Sequence, residues 1–191
     1  MNQNEILEVL ERNRGVLKGH FRLSSGRHSD YFVQKFRVFE HPRLTQSLGE
    51  EIARRWEGKF DVVASPAVGA IVLGFATALA AGVRMVFAER DEGELAFRRG
   101  FVLGPHERTL IVEDVITTGG SAAEVVQLVK SSGATPIGIG ALLDRVDPVR
   151  SKDLGAPLEA LVALDVASWE QADCPLCAKG EPIDDPGSRR L

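Results

Sequence analysis

The sequence predicts an α/β fold in which a Rossmann-like parallel sheet is flanked by helices, with a small hood at the N-terminus. Short apolar or β-branched runs alternate with helical segments, and that alternation is typical of a parallel sheet covered on both faces. The 191 residues are 44% hydrophobic, enough for one substantial core and few for two. We therefore predict a single domain over residues 1–191.

The N-terminal part is predicted to form the hood, over about residues 1–40, together with the C-terminal segment. Residues 4–14 repeat apolar positions among acids, as an amphipathic helix does. Two short strands around residues 21–23 and 31–33 flank the turn-like run SSGRHSD.

The core is predicted to span about residues 41–168. Pro42 opens a helix that reaches about Trp56, because proline suits the first helical position. The charged, glycine-bearing residues 91–100 are expected to form a loop or mobile hairpin. The other core elements are predicted as strands at 61–65, 84–89, 109–114, 136–145 and 158–166 and helices at 70–83 and 119–134, before an irregular tail.

Charge and hydropathy limit the classes of partner. A formal net charge of -4 argues against nucleic-acid binding, which needs a basic surface. The N-terminus does not resemble a signal peptide, and the apolar run from Ala70 to Val83 is too short to cross a bilayer. We expect a cytoplasmic protein that acts on small molecules, with no nucleic-acid and no membrane partner.

The only two cysteines, Cys174 and Cys177, lie in the run CPLC near the C-terminus. We expect reduced thiols there. Half of a zinc site and a redox pair remain alternatives, but the sequence offers no second Cys/His pair at ligand spacing.

The chemistry is concentrated in LIVEDVITTGGSAAEVV, residues 110–126. Glu113 and Asp114 appear where a buried strand should end, a position that a packed core would not choose for acids. The hydroxyl-rich and glycine-rich residues 117–121 follow, directly before a helix. Glycines let the backbone wrap an anion, hydroxyls donate to it, and the helix N-terminus adds free N–H groups. Helix capping alone would explain one hydroxyl and neither acid.

This segment resembles the signature of type I phosphoribosyltransferases, which bind 5-phosphoribosyl 1-diphosphate. The resemblance implies that fold and assigns Glu113 and Asp114 to the ribose hydroxyls. The residues implied to hold the 5-phosphate are Thr117, Thr118, Gly119, Gly120 and Ser121. Both acids are expected to be catalytic, because glycosyl transfer develops positive charge on the ribose. Mg²⁺ is the expected cofactor, brought by the diphosphate without a direct protein ligand.

Residues 19–35 resemble the N-terminal hood of orotate phosphoribosyltransferases, and the similarity continues in order along nearly the whole chain. It implies that Tyr31, Phe32, Thr117 and Arg145 contact orotate, whose carboxylate suits a guanidinium. As alternatives, the two aromatic residues pack a hairpin, and Arg145 forms an ordinary surface pair with Asp144.

The chain departs from better-known members at two lysines, since it has Ser24 and Gly69 in their place. Residues 89–103 contain no lysine or histidine either. Arg90 is therefore expected to contact the pyrophosphate as a catalytic residue, with Arg98 or Arg99 in support. Arginine does not donate a proton near neutral pH, so a general-acid role for this loop is in doubt. Lys35 is a candidate anion partner, although a solvated lysine is the simpler expectation.

The resemblance implies Mg²⁺-dependent transfer of phosphoribosyl to orotate, giving orotidine 5-monophosphate and pyrophosphate, a step of de novo pyrimidine (UMP) biosynthesis. It further implies a homodimer in which loop 89–101 reaches into the partner's site. Two alternatives remain: a purine phosphoribosyltransferase with the same donor site, and a non-catalytic regulator that senses the diphosphate.

Overall fold

The computed structural model describes residues 1–23, 25–146 and 153–186. Its N-terminal elements are α1 (Gln3–Arg12), β1 (Val16–Arg22), β2 (His28–Val33), α2 (Lys35–Phe39) and α3 (Pro42–Arg55). The central elements are β3 (Val62–Pro66), α4 (Ile71–Ala81), β4 (Arg84–Asp91), β5 (Glu94–Phe97), β6 (Arg108–Ile116), α5 (Gly120–Ser131), β7 (Thr135–Val146) and β8 (Leu158–Asp165). The C-terminal segment adds β9 (Ser168–Trp169), a 3-10 turn (Gln171–Asp173) and α6 (Pro175–Ala178).

A six-stranded sheet in the order β5-β4-β3-β6-β7-β8 forms the centre of the molecule. All its strands are parallel except β5, which forms an antiparallel hairpin with β4. The predicted α/β class with a mostly parallel sheet is confirmed. Strand order reverses at β3, which pairs with β4 on one side and β6 on the other. Ligands bind at such switch points, beyond the carboxyl ends of the strands.

Helices cover both faces of this sheet. Leu48 and Ile52 of α3 and Leu73 of α4 belong to one apolar cluster, which α1 extends. On the other face, Val125 and Val129 of α5 pack into a second cluster. Burial of these side chains is the main stabilising contribution, at roughly 25 cal/mol per Å² of apolar surface. The second cluster also contains Ile116 and Ala122, which lie on the two sides of the loop between β6 and α5.

A separate antiparallel sheet, β1-β2-β9, forms the hood and includes the C-terminal segment. The tail also runs beside β1, where Asp184 donates to the His20 carbonyl at 2.7 Å and accepts from Arg22 at 2.9 Å. The expectation of an irregular tail is therefore wrong. The C-terminal segment was predicted to join the hood, but its strand β9 was not, because pairing with a strand far away in the chain leaves no local pattern.

The end of strand β6 and the presence of helix α2 differ from the predictions. Strand β6 continues to Ile116, so Glu113 and Asp114 lie inside the strand and not at its end. Parallel pairing with β7, which reaches Ile116↔Asp144, supports these extra residues. Residues 91–100 include strand β5, which pairs with β4, so they belong to a hairpin, one of the two predicted alternatives. The short helix α2 was not predicted. No helix of the described ranges has the length and apolar character that crossing a membrane requires.

Candidate active site

The loop between β6 and α5 forms a concave site at the carboxyl edge of the sheet. Glu113 and residues 115–122 line it. The N-cap of α5 is Gly119, with φ +81° and no side-chain cap. A Cβ there would lie 2.3 Å from Leu154 Cδ2, so packing and backbone conformation both require glycine.

The hydroxyls of this loop are not used to cap the helix. The Gly120 N–H makes a long contact of 3.5 Å with Thr118 Oγ1, and Thr117, Thr118 and Ser121 are all exposed. Helix capping therefore does not account for the cluster of hydroxyls. Exposed hydroxyls beside a helix N-terminus are suited to bind a phosphate.

The pleat of β6 separates the environments of the two acids, because successive side chains of a strand point to opposite faces. Glu113 lines the loop, and it is buried with 7% of its surface exposed. Burial, with the negative charge of Asp114 adding to it, raises the pKa of Glu113 to about 8. Burial therefore favours the protonated form of Glu113 in the unliganded protein.

Asp114 forms an ion pair with Lys35 at the start of α2. Lys35 Nζ lies 2.6 Å from Asp114 Oδ2, and the Asp114 side chain is only 5% exposed. The expectation of a solvated Lys35 is wrong, since the fold brings the end of the hood onto the centre of the sheet.

Gly69, in the turn between β3 and α4, leaves room for this pair. A Cβ at position 69 would lie 2.0 Å from Asp114 Oδ2 and 2.8 Å from Lys35 Nζ. A side chain there would displace one of the two charged groups. Gly69 stands where better-known family members have a lysine, and Lys35 lies beside it. Ser24, where those members have their other lysine, lies outside the described residues.

The arginines of the β4–β5 hairpin are each paired with an acid. Arg90 grips Glu124 of α5 through two contacts, of 2.5 Å and 3.0 Å. Arg98 pairs with Asp91 and Arg99 with Glu89. All three arginine side chains are at least 49% exposed. Exposed pairs of this kind contribute about 0–1 kcal/mol, so an anionic ligand can replace them at little cost.

Arg145 lies near the end of β7, at the same edge of the sheet as the loop. Asp144, the residue before Arg145, pairs with Ile116, the last residue of β6 before the loop. Arg145 Nε is buried and makes no hydrogen bond to any described residue. A buried donor without a partner is costly, and a bound anion would satisfy it.

Tyr31 and Phe32 lie on β2 and point to opposite sides of the hood sheet. Tyr31 packs against the large apolar cluster, and Lys18 Nζ lies 5.7 Å from the centre of its ring. Phe32 packs against Phe21, with ring centroids 5.7 Å apart. Because strand geometry separates the two rings, they contribute to different surfaces.

Sequence reasoning missed two features of this site. The contact between Lys35 and Asp114 depends on tertiary structure, and so does the need for glycine at position 69. The only hint in the sequence was that a lysine, Lys35, directly follows the predicted hood strand in the run VQK. A third feature, outside this site, is that Cys174 and Cys177 meet two histidines of the hood.

Comparisons with known proteins agree with this architecture. The chain is 43% identical over 192 residues to orotate phosphoribosyltransferase of Caldanaerobacter subterraneus subsp. tengcongensis, covering 100% of both chains. It is 45% identical over 192 residues, again covering 100% of both, to orotate phosphoribosyltransferase of Pelotomaculum thermopropionicum. A crystal structure of orotate phosphoribosyltransferase from Mycobacterium tuberculosis has a TM-score of 0.68 and 24% identity, covering 85% of this chain and 96% of that one. No protein-family model matches the chain.

The parallel sheet with its switch point, and the acids that lead into a phosphate-type loop, define the class as a type I phosphoribosyltransferase. The class prediction made from residues 110–126 is confirmed. Sequence identity above 40% over the full length to the two relatives narrows this class to one family. The chain belongs to the orotate phosphoribosyltransferase family.

Proposed function

We propose that this enzyme transfers the phosphoribosyl group of 5-phosphoribosyl 1-diphosphate to N1 of orotate, releasing pyrophosphate and orotidine 5-monophosphate in pyrimidine biosynthesis. The observation that carries the proposal is the uncapped, hydroxyl-rich loop next to two buried carboxyl groups. Relatives named for this reaction match the chain from end to end.

The donor binds with its 5-phosphate in loop 117–121 and its ribose hydroxyls at Glu113 and Asp114. Breaking the bond to pyrophosphate leaves positive charge on the ribose ring. A carboxylate beside the ring stabilises that charge more than it stabilises the neutral ground state. Glu113 releases its proton to solvent when the donor binds, because the ribose hydroxyls and the developing positive charge favour its ionised form.

Lys35 supplies the cation that this chain lacks at position 69. In the unliganded protein it neutralises Asp114 at 2.6 Å. When the ribose hydroxyls hydrogen-bond to Asp114, the ammonium group of Lys35 leaves Asp114 and turns towards the negatively charged donor. The side chain is 30% exposed, which leaves it room to turn.

Arg90 contacts the leaving pyrophosphate, and Arg98 and Arg99 support it. The three exposed ion pairs of the hairpin hold these arginines in a resting arrangement. When pyrophosphate displaces Glu124 from Arg90, the guanidinium keeps a bidentate contact, because both the carboxylate and the pyrophosphate offer two oxygens. Arginine stays charged throughout, so the hairpin acts by charge and not by proton transfer.

The acceptor orotate lies between the hood and the edge of the sheet, in contact with Tyr31, Phe32, Thr117 and Arg145. The buried, unpaired Nε of Arg145 is matched to the orotate carboxylate. The rings of Tyr31 and Phe32 face different sides, so one of them stacks on the base and the other holds the hood in place.

Mg²⁺ is the proposed cofactor, and the carboxyl groups present fit a metal that arrives on its substrate. Asp114 is paired with Lys35, and burial favours the protonated form of Glu113, so the resting site favours neither group as a direct metal ligand. When bound, the ion neutralises charge on the pyrophosphate leaving group. Glu113 and Asp114 would orient the ribose oxygens next to it.

We also propose a homodimer built on α4. Val72, Phe75 and Leu79 are 44%, 59% and 62% exposed, and their spacing aligns them on one face of the helix. A second copy of the chain would cover such a face symmetrically. Helix α4 begins right after Gly69, so the partner would lie near the site and its loop 89–101 could reach it.

We place the enzyme, as a single domain with its hood over about 1–40, in the cytoplasm, without nucleic-acid or membrane partners. The net charge of -4 and two free cysteines support this placement.

A steady-state assay of pyrophosphate release with orotate, hypoxanthine, xanthine and adenine tests the proposal. We expect turnover with orotate alone. Turnover with a purine but not with orotate would establish the purine alternative, and donor binding without any turnover would favour the regulator. Asp114→Asn keeps the shape and removes the charge, so we expect at least a hundredfold loss of kcat/KM.

A further inference from the structure

Four side chains with metal-binding atoms meet where the C-terminal segment crosses the hood. His20 of β1 and His28 of β2 face Cys174 and Cys177, and one ligand atom from each lies within 4.8 Å of the others. In the described part of the chain, this is the one group of three or more such residues placed to hold a metal. Three of the four side chains are buried.

The separations are close to the edges of a tetrahedron around one ion. With Zn–N of about 2.0–2.1 Å and Zn–S of about 2.3 Å, a tetrahedron places two nitrogens about 3.3 Å apart and nitrogen and sulfur about 3.6 Å apart. His20 Nε2 lies 3.0 Å from His28 Nδ1, 3.6 Å from Cys174 Sγ and 3.7 Å from Cys177 Sγ. His28 Nδ1 lies 3.2 Å from Cys177 Sγ. These distances match the tetrahedron's edges to a few tenths of an ångström.

A backbone carbonyl orients one of the rings for binding. His20 Nδ1 lies 2.9 Å from the Glu181 carbonyl oxygen, so Nδ1 carries the proton and donates it to that carbonyl. His20 Nε2 then presents its lone pair to the cluster. A second hydrogen bond of this kind, on the nitrogen that does not bind the metal, is typical of metal-binding histidines.

The backbone around the cysteines forms a tight turn over the cluster. The Ala178 N–H donates to the Cys174 carbonyl at 3.1 Å, and the Gly180 N–H donates to the Cys177 carbonyl at 2.9 Å. Gly180 has φ +69°, a conformation that favours glycine. This turn directs both sulfur atoms to the same point, as a C-x-x-C metal turn requires.

We propose that His20, His28, Cys174 and Cys177 bind one Zn²⁺ ion that fastens the C-terminal segment to the hood. Two imidazoles and two thiolates in a tetrahedron select zinc among the common divalent ions. All four positions are filled by protein, so the ion is structural and has no place for substrate. Each cysteine thiol releases its proton to solvent when the ion binds. The proposal is independent of the transferase reaction.

Metal analysis of the full chain, purified without a histidine tag under reducing conditions and dialysed against Zn²⁺, tests this. We expect one zinc per chain, and Co²⁺ in its place should give the intense visible spectrum of tetrahedral thiolate coordination. Cys174→Ser should weaken zinc binding by at least about a hundredfold, since it removes a direct ligand. His41→Ala is the control, because His41 is exposed and outside the cluster; it should bind as the wild type does.

Three results would overturn the proposal: reduced protein that takes up no zinc, a cobalt spectrum without the thiolate band, or unchanged zinc affinity in Cys174→Ser. Isolation of the chain with a Cys174–Cys177 disulfide in place of metal would establish a redox pair instead. If Cys174→Ser does not fold, the cobalt titration of the wild-type chain decides, because it needs no variant. None of these measurements depends on orotate turnover.

Discussion

Lys35 Nζ lies 2.6 Å from Asp114 Oδ2 and joins the end of the hood to the centre of the parallel sheet. Residues that close over the acceptor and residues that hold the donor are thus connected by one ion pair. Gly69 borders both of its members. Lys35 thus provides a positive charge at the site where better-known members have a lysine at position 69. Its contribution to donor binding can be measured.

Lys35→Gln should raise KM for the diphosphate donor by at least about tenfold, because an opposite charge near a multiply charged ligand is lost. KM for orotate should change less. Donor-dependence kinetics at fixed orotate measure the effect. Lys59→Gln is the control and should leave both constants unchanged, because Lys59 is exposed in the turn after α3 and its Nζ donates to the Arg55 carbonyl there. An unchanged donor KM in Lys35→Gln would rule out a role for this cation in donor binding.

Gly69→Ala should lower kcat/KM sharply, because its methyl group would lie 2.0 Å from Asp114 Oδ2. The Lys35–Asp114 pair must then open or the turn must move. Gly104→Ala is the matched control, since its Cβ would meet its nearest atom at 3.4 Å. Equal activity of the two variants would show that the close approach of Gly69 to Asp114 is not needed.

Glu113→Gln should stabilise the folded protein while it lowers activity. The folded pKa of Glu113 is raised from 4.5 to about 8. Ionisation in the unfolded chain therefore lowers stability as pH rises from 4.5 to about 8. Gln cannot ionise, so we expect the variant to equal wild type below pH 4.5 and to be more stable by roughly 4 kcal/mol near pH 8. Urea unfolding across this range measures the difference, and a pH-independent offset would contradict the assignment.

Arg145→Gln should raise KM for orotate by about tenfold to a hundredfold and leave KM for the donor near its wild-type value. The substitution removes the buried, unpaired Nε and with it the proposed hydrogen bond to the orotate carboxylate. A hydrogen bond to a charged group contributes about 1.5–3 kcal/mol. Initial rates with each substrate varied in turn give both constants. Proportional changes in the two KM values would indicate a general distortion of the sheet edge.

Arg90→Ala and Asp114→Asn subunits should regain activity when mixed, if the hairpin of one subunit completes the site of the other. Each variant alone is expected to be nearly inactive, whereas a mixed dimer has one site with both residues intact. Activity against mixing ratio, after subunit exchange, is the measurement. Arg90→Ala mixed with itself is the control. No recovery in dimers shown to exchange would mean that Arg90 serves its own subunit.

The sequence by itself determined the class of this protein, because the signal is local. Strand, acids, loop and helix follow one another within residues 110–126, so the motif can be recognised from the sequence alone. The alternation of strands and helices likewise predicted the parallel sheet.

Tertiary structure decided which distant groups meet. It paired Lys35 with Asp114 and Arg90 with Glu124, and it brought His20 and His28 to the cysteines of the tail. Such contacts depend on strand order and on hood pairing through β9, neither of which leaves a periodic pattern in the chain. The segment 110–126 thus identified the donor site, while the charges around it were set by residues far away in sequence.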